Sequence, residues 1–375
     1  MRCSVALPVP LSFFRIGCYA VFDRIASGGM ANVHLGRRLG PPEPQSVVAV
    51  KRLRPEFAAE SDFIAMLMDE AALTRRIVHP SIVPVLDLVH TPTEVCLVTA
   101  FVYGETLRAL QNALEARNKR VPLTIASAIC CDVLAALHAA HEARDTDGSP
   151  LHMVHRDVSP HNIMVGVDGR ARVIDFGIAK AVSRLQSTIE GQVKGKVAYM
   201  APEQLTGLVA DRRCDLFSTG IVLWEILAGA RLFTGADSLE VGKSVVCALV
   251  PPIGSVRHDV PPALAEVVHR ALKQQREARF ASAAEMRDAL QAAMPPAGRK
   301  SVARWLLGLA AEAIRRRRRR ALEIEGYDLS TSGQPGQEPG DEPTLVDEMP
   351  PFFEVPDDDE PTVPAAGGTP HPPKA

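Results

Sequence analysis

The stretch His155-Arg156-Asp157-Val158-Ser159-Pro160-His161-Asn162 sets an acid and an amide five residues apart. Thirteen residues on, Asp175-Phe176-Gly177 brings a second acid to a turn, and Ala201-Pro202-Glu203 follows. On the amino-terminal side, Val48-Ala49-Val50-Lys51 ends an otherwise apolar strand on a lysine. A charge placed there needs a partner. Glu70, on the inward face of the next predicted helix, is the carboxylate at hand. Its neighbour Asp69 lies about 100° round from the Leu67/Leu73/Ile77 stripe. Taken singly, Asp157 reads as a loop-structuring or capping aspartate, and Asp175 as the first residue of an ordinary turn. Their order and spacing ask for more.

Composition bounds the setting. Hydrophobic residues at 46 % and charged residues at 23 % are ordinary for a globular chain. The net charge of -2 hides an asymmetry: residues 327–375 hold eleven Asp/Glu against one Lys, or -10, so the preceding 326 residues carry +8. An acidic tail on a mildly basic body argues against one uniform domain. Seven cysteines, an odd number with no Cys-x-x-Cys, read as reduced thiols in a cytoplasmic protein. No run of about 18 apolar residues predicts a transmembrane span. Pro8, Pro10 and Arg15 argue against a signal peptide at the start.

Pattern divides the chain. Residues 1–17 read as a leader. Residues 19–25 and 33–37 flank a Gly-containing turn and read as strands, as do 47–50, 83–89 and 95–99. Between them Ser61 caps a helix over 62–77, with Phe63, Met66, Leu67, Glu70, Leu73, Thr74 and Ile77 on one face. Beyond Gly104 the pattern turns helical, over 123–142, 221–227 (closed by Gly229), 264–272 and 284–293. A sheet-rich lobe at about 18–100 and a helical lobe at about 104–294 predict a two-lobed α+β architecture. Residues 295–326 hold an amphipathic helix with Val302, Trp305, Leu306, Leu309 and Ala313 in one stripe, then six arginines, Arg315 to Arg320. Residues 327–375, rich in Pro, Gly and acid, cannot bury enough apolar surface to order themselves.

The four motifs, in this order and spacing, resemble those of the protein kinase family. The resemblance covers about residues 18–294. The string from His155 to Asn162, Asp147-Gly148 and Ser27-Gly28-Gly29-Met30 resemble the bacterial eukaryotic-like serine/threonine kinases. It implies the two-lobed protein kinase fold: a β-rich N-lobe with one main helix and a helical C-lobe. It implies transfer of the ATP γ-phosphate to protein Ser/Thr hydroxyls with Mg²⁺, or Mn²⁺ in its place. Asp157 would take the hydroxyl proton, and Asn162 and Asp175 would hold the metal. Lys51, paired with Glu70, would hold the α- and β-phosphates. The loop over the phosphates aligns Ala26, Gly28 and Ala31 with the family's three glycines, so only the middle one is kept. Ser27, Gly28, Gly29 and Met30 would offer backbone N–H groups. Val33 and Ala49 would pack on adenine, Ala100 and Val102 would bond it, and Thr99 would be a small gatekeeper. Asp215 would brace the catalytic loop, and Glu203 with Arg279 would tie down the end of the activation segment. Arg156 implies a phosphate site on that segment, with Thr188 first, then Ser187 and Ser183.

Two positions depart from the family pattern. Ser159 stands where a lysine is usual, and Lys196 where a threonine is usual. We expect Lys196 to supply the missing cation. The catalytic loops of tyrosine kinases, Ala-rich or Arg-containing, are not seen here. The rival reading is a nucleotide-binding pseudokinase or scaffold; a small-molecule kinase of the same fold is disfavoured by the intact Ala-Pro-Glu segment. The arginine run reads first as a solvated face, then as a peripheral membrane contact. Nucleic acid is not expected, because no aromatic residues are interleaved. Thr344 and Thr362, each after Glu-Pro, would on phosphorylation suit a phosphothreonine-reading partner. Nothing in the sequence fixes the oligomeric state.

Overall fold

The computed structural model describes residues 11–28, 31–40, 46–58, 61–91, 94–176 and 194–328. Its β-branched and aromatic runs build an antiparallel six-stranded sheet in the order β1-β2-β3-β4-β6-β5. The strands are β1 (Phe14–Ile16), β2 (Tyr19–Ser27), β3 (Ala31–Arg38), β4 (Val47–Leu53), β5 (Val85–His90) and β6 (Val95–Ala100). The leader expected over 1–17 therefore ends early. Phe14 pairs with Val21, and Phe14 and Ile16, 8 % and 2 % exposed, pack among Tyr19, Val48, Val50 and Val98. Helices of two turns or more are labelled in chain order. The first, α1 (Ser61–Thr74), seats Leu67 against Leu53, Phe57 and Val95. It stops short of the expected residue 77. The N–H groups of Arg76 and Ile77 bond back three residues, to Leu73 and Thr74, which tightens and ends the helix. Ile77 then joins the core of the other lobe.

The second lobe opens with β7 (Gly104–Thr106) and α2 (Leu107–Glu115), where Thr106 Oγ1 caps the helix by accepting from Ala109 N at 3.2 Å. Next come α3 (Leu123–His141), β8 (Ile163–Gly166) and β9 (Ala171–Val173), with β8 between its neighbours in a small sheet. The remaining helices are α4 (Arg213–Ala228), α5 (Ser238–Val246), α6 (Pro262–Ala271) and α7 (Ala283–Ala293). Helix α4 is apolar nearly all round and is buried as such a helix must be. Gly229 ends it at φ +74°, a conformation open to glycine, with its N–H on Glu225 O at 2.8 Å. By length and mean hydropathy α3 alone among the described helices could cross a membrane, but 72 % of that stretch is buried in the lobe. Its Asp132 accepts from Ala171 N (2.9 Å) and pairs with Arg299, contacts of a core helix.

The last helix, α8 (Arg299–Glu325), covers most of the segment expected to be helical but sits differently. Val302, Leu306 and Ile314 enter the core of the helical lobe. Past a kink at Ala310, Ala321 and Ile324 enter the core of the sheet lobe beside Ala20, Phe22, Leu35 and Val47. Arg37 of β3 holds its end, donating to the carbonyls of Ile324 (2.8 Å), Glu325 (2.7 Å) and Tyr327 (2.7 Å). The arginine run is thus not one solvated face. A helix turns 100° per residue, so six consecutive side chains point all round it. Arg317 and Arg320 share the side of Ile314, Ala321 and Ile324 and form inward ion pairs, while Arg315, Arg318 and Arg319 are exposed. Arg320 grips Asp23 of β2 with two nitrogens, one at 2.9 Å. Asp23→Ala removes the two-nitrogen grip and leaves that guanidinium only its exposed-side pair with Glu323 (3.0 Å), which costs about 2 kcal/mol. The midpoint of thermal unfolding should fall by several degrees; an unchanged midpoint would mean that the pair does not hold α8 to the sheet.

Candidate active site

A cleft between the lobes gathers many of the expected residues. Val33, Ala49 and Lys51 line it from β3 and β4, and Thr99, Ala100 and Val102 from β6 and the link beyond. Asn162 and Asp175 line it from the helical lobe. Ala100 N donates to Pro84 O at 3.0 Å, so the carbonyl is what Ala100 can offer a ligand. Three residues of the expected phosphate lid are described. Ala26, Ser27 and Gly28 are not among the lining residues. Ala26 pairs with Val33, Ser27 Oγ donates to Asn32 Oδ1 (2.8 Å) and Gly28 N to Ala31 O (2.9 Å), so these groups serve the hairpin itself. Gly29 and Met30 fall outside the described residues. The cleft also takes Ile25, Met164, Ile174 and Phe176, which the motifs did not single out. Ile25 stands just ahead of the glycine turn and Met164 on the strand just after Asn162. Their places beside those motifs were the signal available, since neither β2 nor β8 alternates in burial. Arg317 of α8 lines the cleft as well, and no motif pointed to it.

Lys51 Nζ meets Asp175 Oδ2 at 2.8 Å across the cleft, with both side chains mostly buried. Glu70 lies on α1, and its side chain is outside the described residues. Asp175 takes a left-handed backbone conformation, φ +61°, which aspartate tolerates better than most residues. The turn sends Phe176 into the core, its ring 4.5 Å from that of His155. His155 accepts from Asp157 N at Nδ1 (3.2 Å), so its Nε2 carries the hydrogen that reaches Ile174 O (3.0 Å). The His155 ring therefore joins the loop carrying Asp157 to the strand end before Asp175.

Asp215 braces that loop from α4. Its two oxygens accept from His155 N (2.8 Å) and Arg156 N (2.7 Å), and His141 Nε2 lies 2.8 Å from the first of them. Burial pushes this carboxyl's pKa up. The hydrogen bond and charge of His141, with His155 and Arg156 N, outweigh burial and hold it below the usual carboxylate value. The brace also holds Arg156 at φ +66°, a conformation unfavourable to a long side chain. Asn162 Nδ2 donates to Asp157 O (2.8 Å), which fixes the far end of the loop. Lys196 Nζ reaches Asp157 Oδ2 at 3.2 Å. The activation-segment candidates Ser183, Ser187 and Thr188 lie outside the described residues, as does Gly177.

Beyond Lys196 the segment is tied to the lobe twice. Glu203 and Arg279 form a buried fork, Nη1–Oε1 2.7 Å and Nη2–Oε2 2.9 Å. Tyr199 donates its hydroxyl to Glu225 Oε2 (2.7 Å) and accepts from Arg231 Nη1 (2.7 Å). Burial pushes the Glu225 carboxyl up despite these partners. The six described cysteines are free thiols, and burial pushes Cys96 up to about 12 and Cys131 to about 11, values at which neither is reactive.

A lysine–aspartate pair across an inter-lobe cleft, above a braced loop that presents a second aspartate, is an arrangement for handling phosphate. Residues 19–291 match the protein kinase domain family, and the chain belongs to that family. Membership implies ATP binding with a divalent metal. The chain is 33 % identical over 335 residues to "Tyrosine-protein kinase MasK" of Myxococcus xanthus, covering 87 % of this chain and 52 % of that protein. It is 33 % identical over 274 residues to serine/threonine-protein kinase PknL of Mycobacterium tuberculosis, covering 73 % and 65 %. With serine/threonine-protein kinase PknA of the same species it shares 34 % over 287 residues, covering 74 % and 61 %. The crystal structure of the M. tuberculosis PknI kinase domain superposes with a TM-score of 0.57 at 26 % identity, covering 76 % of this chain and 98 % of that chain. The chain thus spans between about half and two thirds of the length of these curated relatives.

Proposed function

We propose that this chain is a serine/threonine protein kinase that passes the ATP γ-phosphoryl group to Ser/Thr hydroxyls of proteins, its own included, in cytoplasmic signalling. The observation that carries this reading is the contact of Lys196 Nζ with Asp157 Oδ2 at 3.2 Å. A loop lacking the family's lysine at Ser159 still has an ammonium beside its aspartate, and nothing in the cleft favours a scaffold without transfer. In the reaction the substrate hydroxyl oxygen attacks the γ-phosphorus while the bond to the β–γ bridging oxygen breaks. ADP leaves with the electron pair, and Asp157 orients the hydroxyl and takes its proton. Lys196 then lies where negative charge must be met on the transferred group, and Lys51 faces the other phosphates.

The metal would be held by Asn162 and Asp175. Both line the cleft, and Asn162 has its amide nitrogen engaged by Asp157 O, which leaves Oδ1 as the donor. Such hard oxygens suit Mg²⁺, and Mn²⁺ is also accommodated. When bound, the metal neutralises phosphate charge. A second reading, transfer to tyrosine, rests on the name of the M. xanthus relative, whose match takes in the largest share of this chain among those above. Phosphoamino-acid analysis of protein incubated with γ-labelled ATP separates the two. Label on serine and threonine is expected; label confined to tyrosine would replace this reading with the second.

A further inference from the structure

The family match ends at residue 291 and α8 begins at Arg299, so this helix lies outside what the shared domain assigns. It is nonetheless built into both lobes, through Ile314 below and Arg320, Ala321 and Ile324 above. Where it crosses from one lobe to the other stands Arg317. Its Nη1 donates to Gly104 O at 2.8 Å and its Nη2 meets Glu105 Oε2 at 2.9 Å. The two side chains are only 10 % and 6 % exposed, and Arg317 also lines the nucleotide cleft. Gly104 and Glu105 follow the link that carries Ala100 and Val102. That edge is tight: a Cβ on Gly104 would stand 2.2 Å from Val165 O. One guanidinium therefore joins α8, the start of β7 just past the link, and the cleft.

We propose that α8 forms a third wall of the nucleotide site and that Arg317 is the positioning residue through which it sets affinity for a nucleoside triphosphate. The inference rests on reading this cleft as an ATP site. Glu105 is a desolvated carboxylate held against Arg317, the residue that lines the cleft, and the ligand of that cleft carries several negative charges. Arg317 cancels that charge and anchors the start of β7, where the link ends, by the Gly104 carbonyl. Removing the guanidinium leaves Glu105 to repel the triphosphate. Neither residue touches the transferred group, so the effect falls on binding and not on turnover.

The test uses the full chain and three measurements: ATP affinity by calorimetry, KM and kcat for ATP, and the unfolding midpoint without nucleotide. Arg317→Met is expected to weaken ATP about tenfold and to leave kcat within about twofold. Arg317→Met/Glu105→Gln should regain most of that loss. Arg318→Ala, on the exposed side of the same run, should match the unaltered protein. Glu105→Gln alone keeps the shape and removes the negative charge, so it should bind ATP at least as tightly as the parent. It stands in should Arg317→Met fail to fold. Parent-like ATP affinity in Arg317→Met, no recovery in the double variant, or weakened binding in Glu105→Gln would each overturn the proposal. Failure of the parent itself to bind ATP would instead sink the ATP reading, and this inference with it.

Discussion

Lys196→Met should lower kcat by about 10²–10³-fold, the size of effect seen when a positioned charge or donor is removed from a developing anion, with little change in KM for ATP. The expectation comes from two departures that compensate each other. Ser159 leaves the catalytic loop without the cation the family usually carries there, and Lys196 brings one to 3.2 Å from Asp157 from a different point on the backbone. Methionine keeps the length of the side chain and removes the charge, so a loss of turnover reports the ammonium itself. Adding Ser159→Lys, which returns a lysine to its usual place, should recover a large part of the loss. Steady-state kinetics on a peptide or protein substrate decide the matter. Near-normal turnover in Lys196→Met would show that the contact plays no part in transfer.

Arg279→Ala should destabilise the protein by about 3–5 kcal/mol, because it strands a buried carboxylate. Both oxygens of Glu203 are taken by Arg279, and the two side chains are 5 % and 0 % exposed. The same guanidinium lies 4.7 Å from the Phe217 ring centroid and donates to the carbonyls of Lys273 (2.8 Å) and Gln274 (3.0 Å). Lysine cannot make this planar fork, so Arg279→Lys should also be strongly destabilising. The unfolding midpoint of Arg279→Ala should fall by on the order of 10 °C. Glu203→Gln/Arg279→Met, which removes both charges, should lie well above the single variant. Scanning calorimetry checks this, and a midpoint within a degree or two of the parent would mean that the pair does not hold the segment.

The site was legible where chemistry demands fixed residue types at fixed spacing. Lys51 stood out because an apolar strand does not keep a lysine without cause, and Asp157, Asn162 and Asp175 because their order and spacing resemble the kinase motifs. Asp215 and the Glu203–Arg279 pair were named from resemblance, and the hydrogen bonds above give them a physical account. Less was legible where an outcome depends on which neighbour arrives. The stripe through Val302, Leu306 and Leu309 announced a helix, but periodicity gives the face that is buried and not what buries it. So the arginines read as a solvated run, although Arg317 and Arg320 complete inward ion pairs with Glu105 and Asp23. Phe14 and Ile16 looked like leader because three residues are too few to show alternation, and only the β1–β2 pairing places them in the sheet. The lid was assigned by resemblance to the backbone N–H groups of Ser27 to Met30; the hairpin takes up the Gly28 N–H, and Gly29 and Met30 lie outside the described residues.

The most direct test of the central claim compares the parent chain with Asp157→Asn, both incubated with γ-labelled ATP and the divalent metal, followed by mapping of labelled residues and a separate measurement of ATP binding. The parent should label serine and threonine on itself or on added protein, and Asp157→Asn should bind ATP comparably while labelling at least about 10³-fold less. Undiminished labelling by Asp157→Asn, or a parent that binds ATP and transfers nothing, would contradict the account.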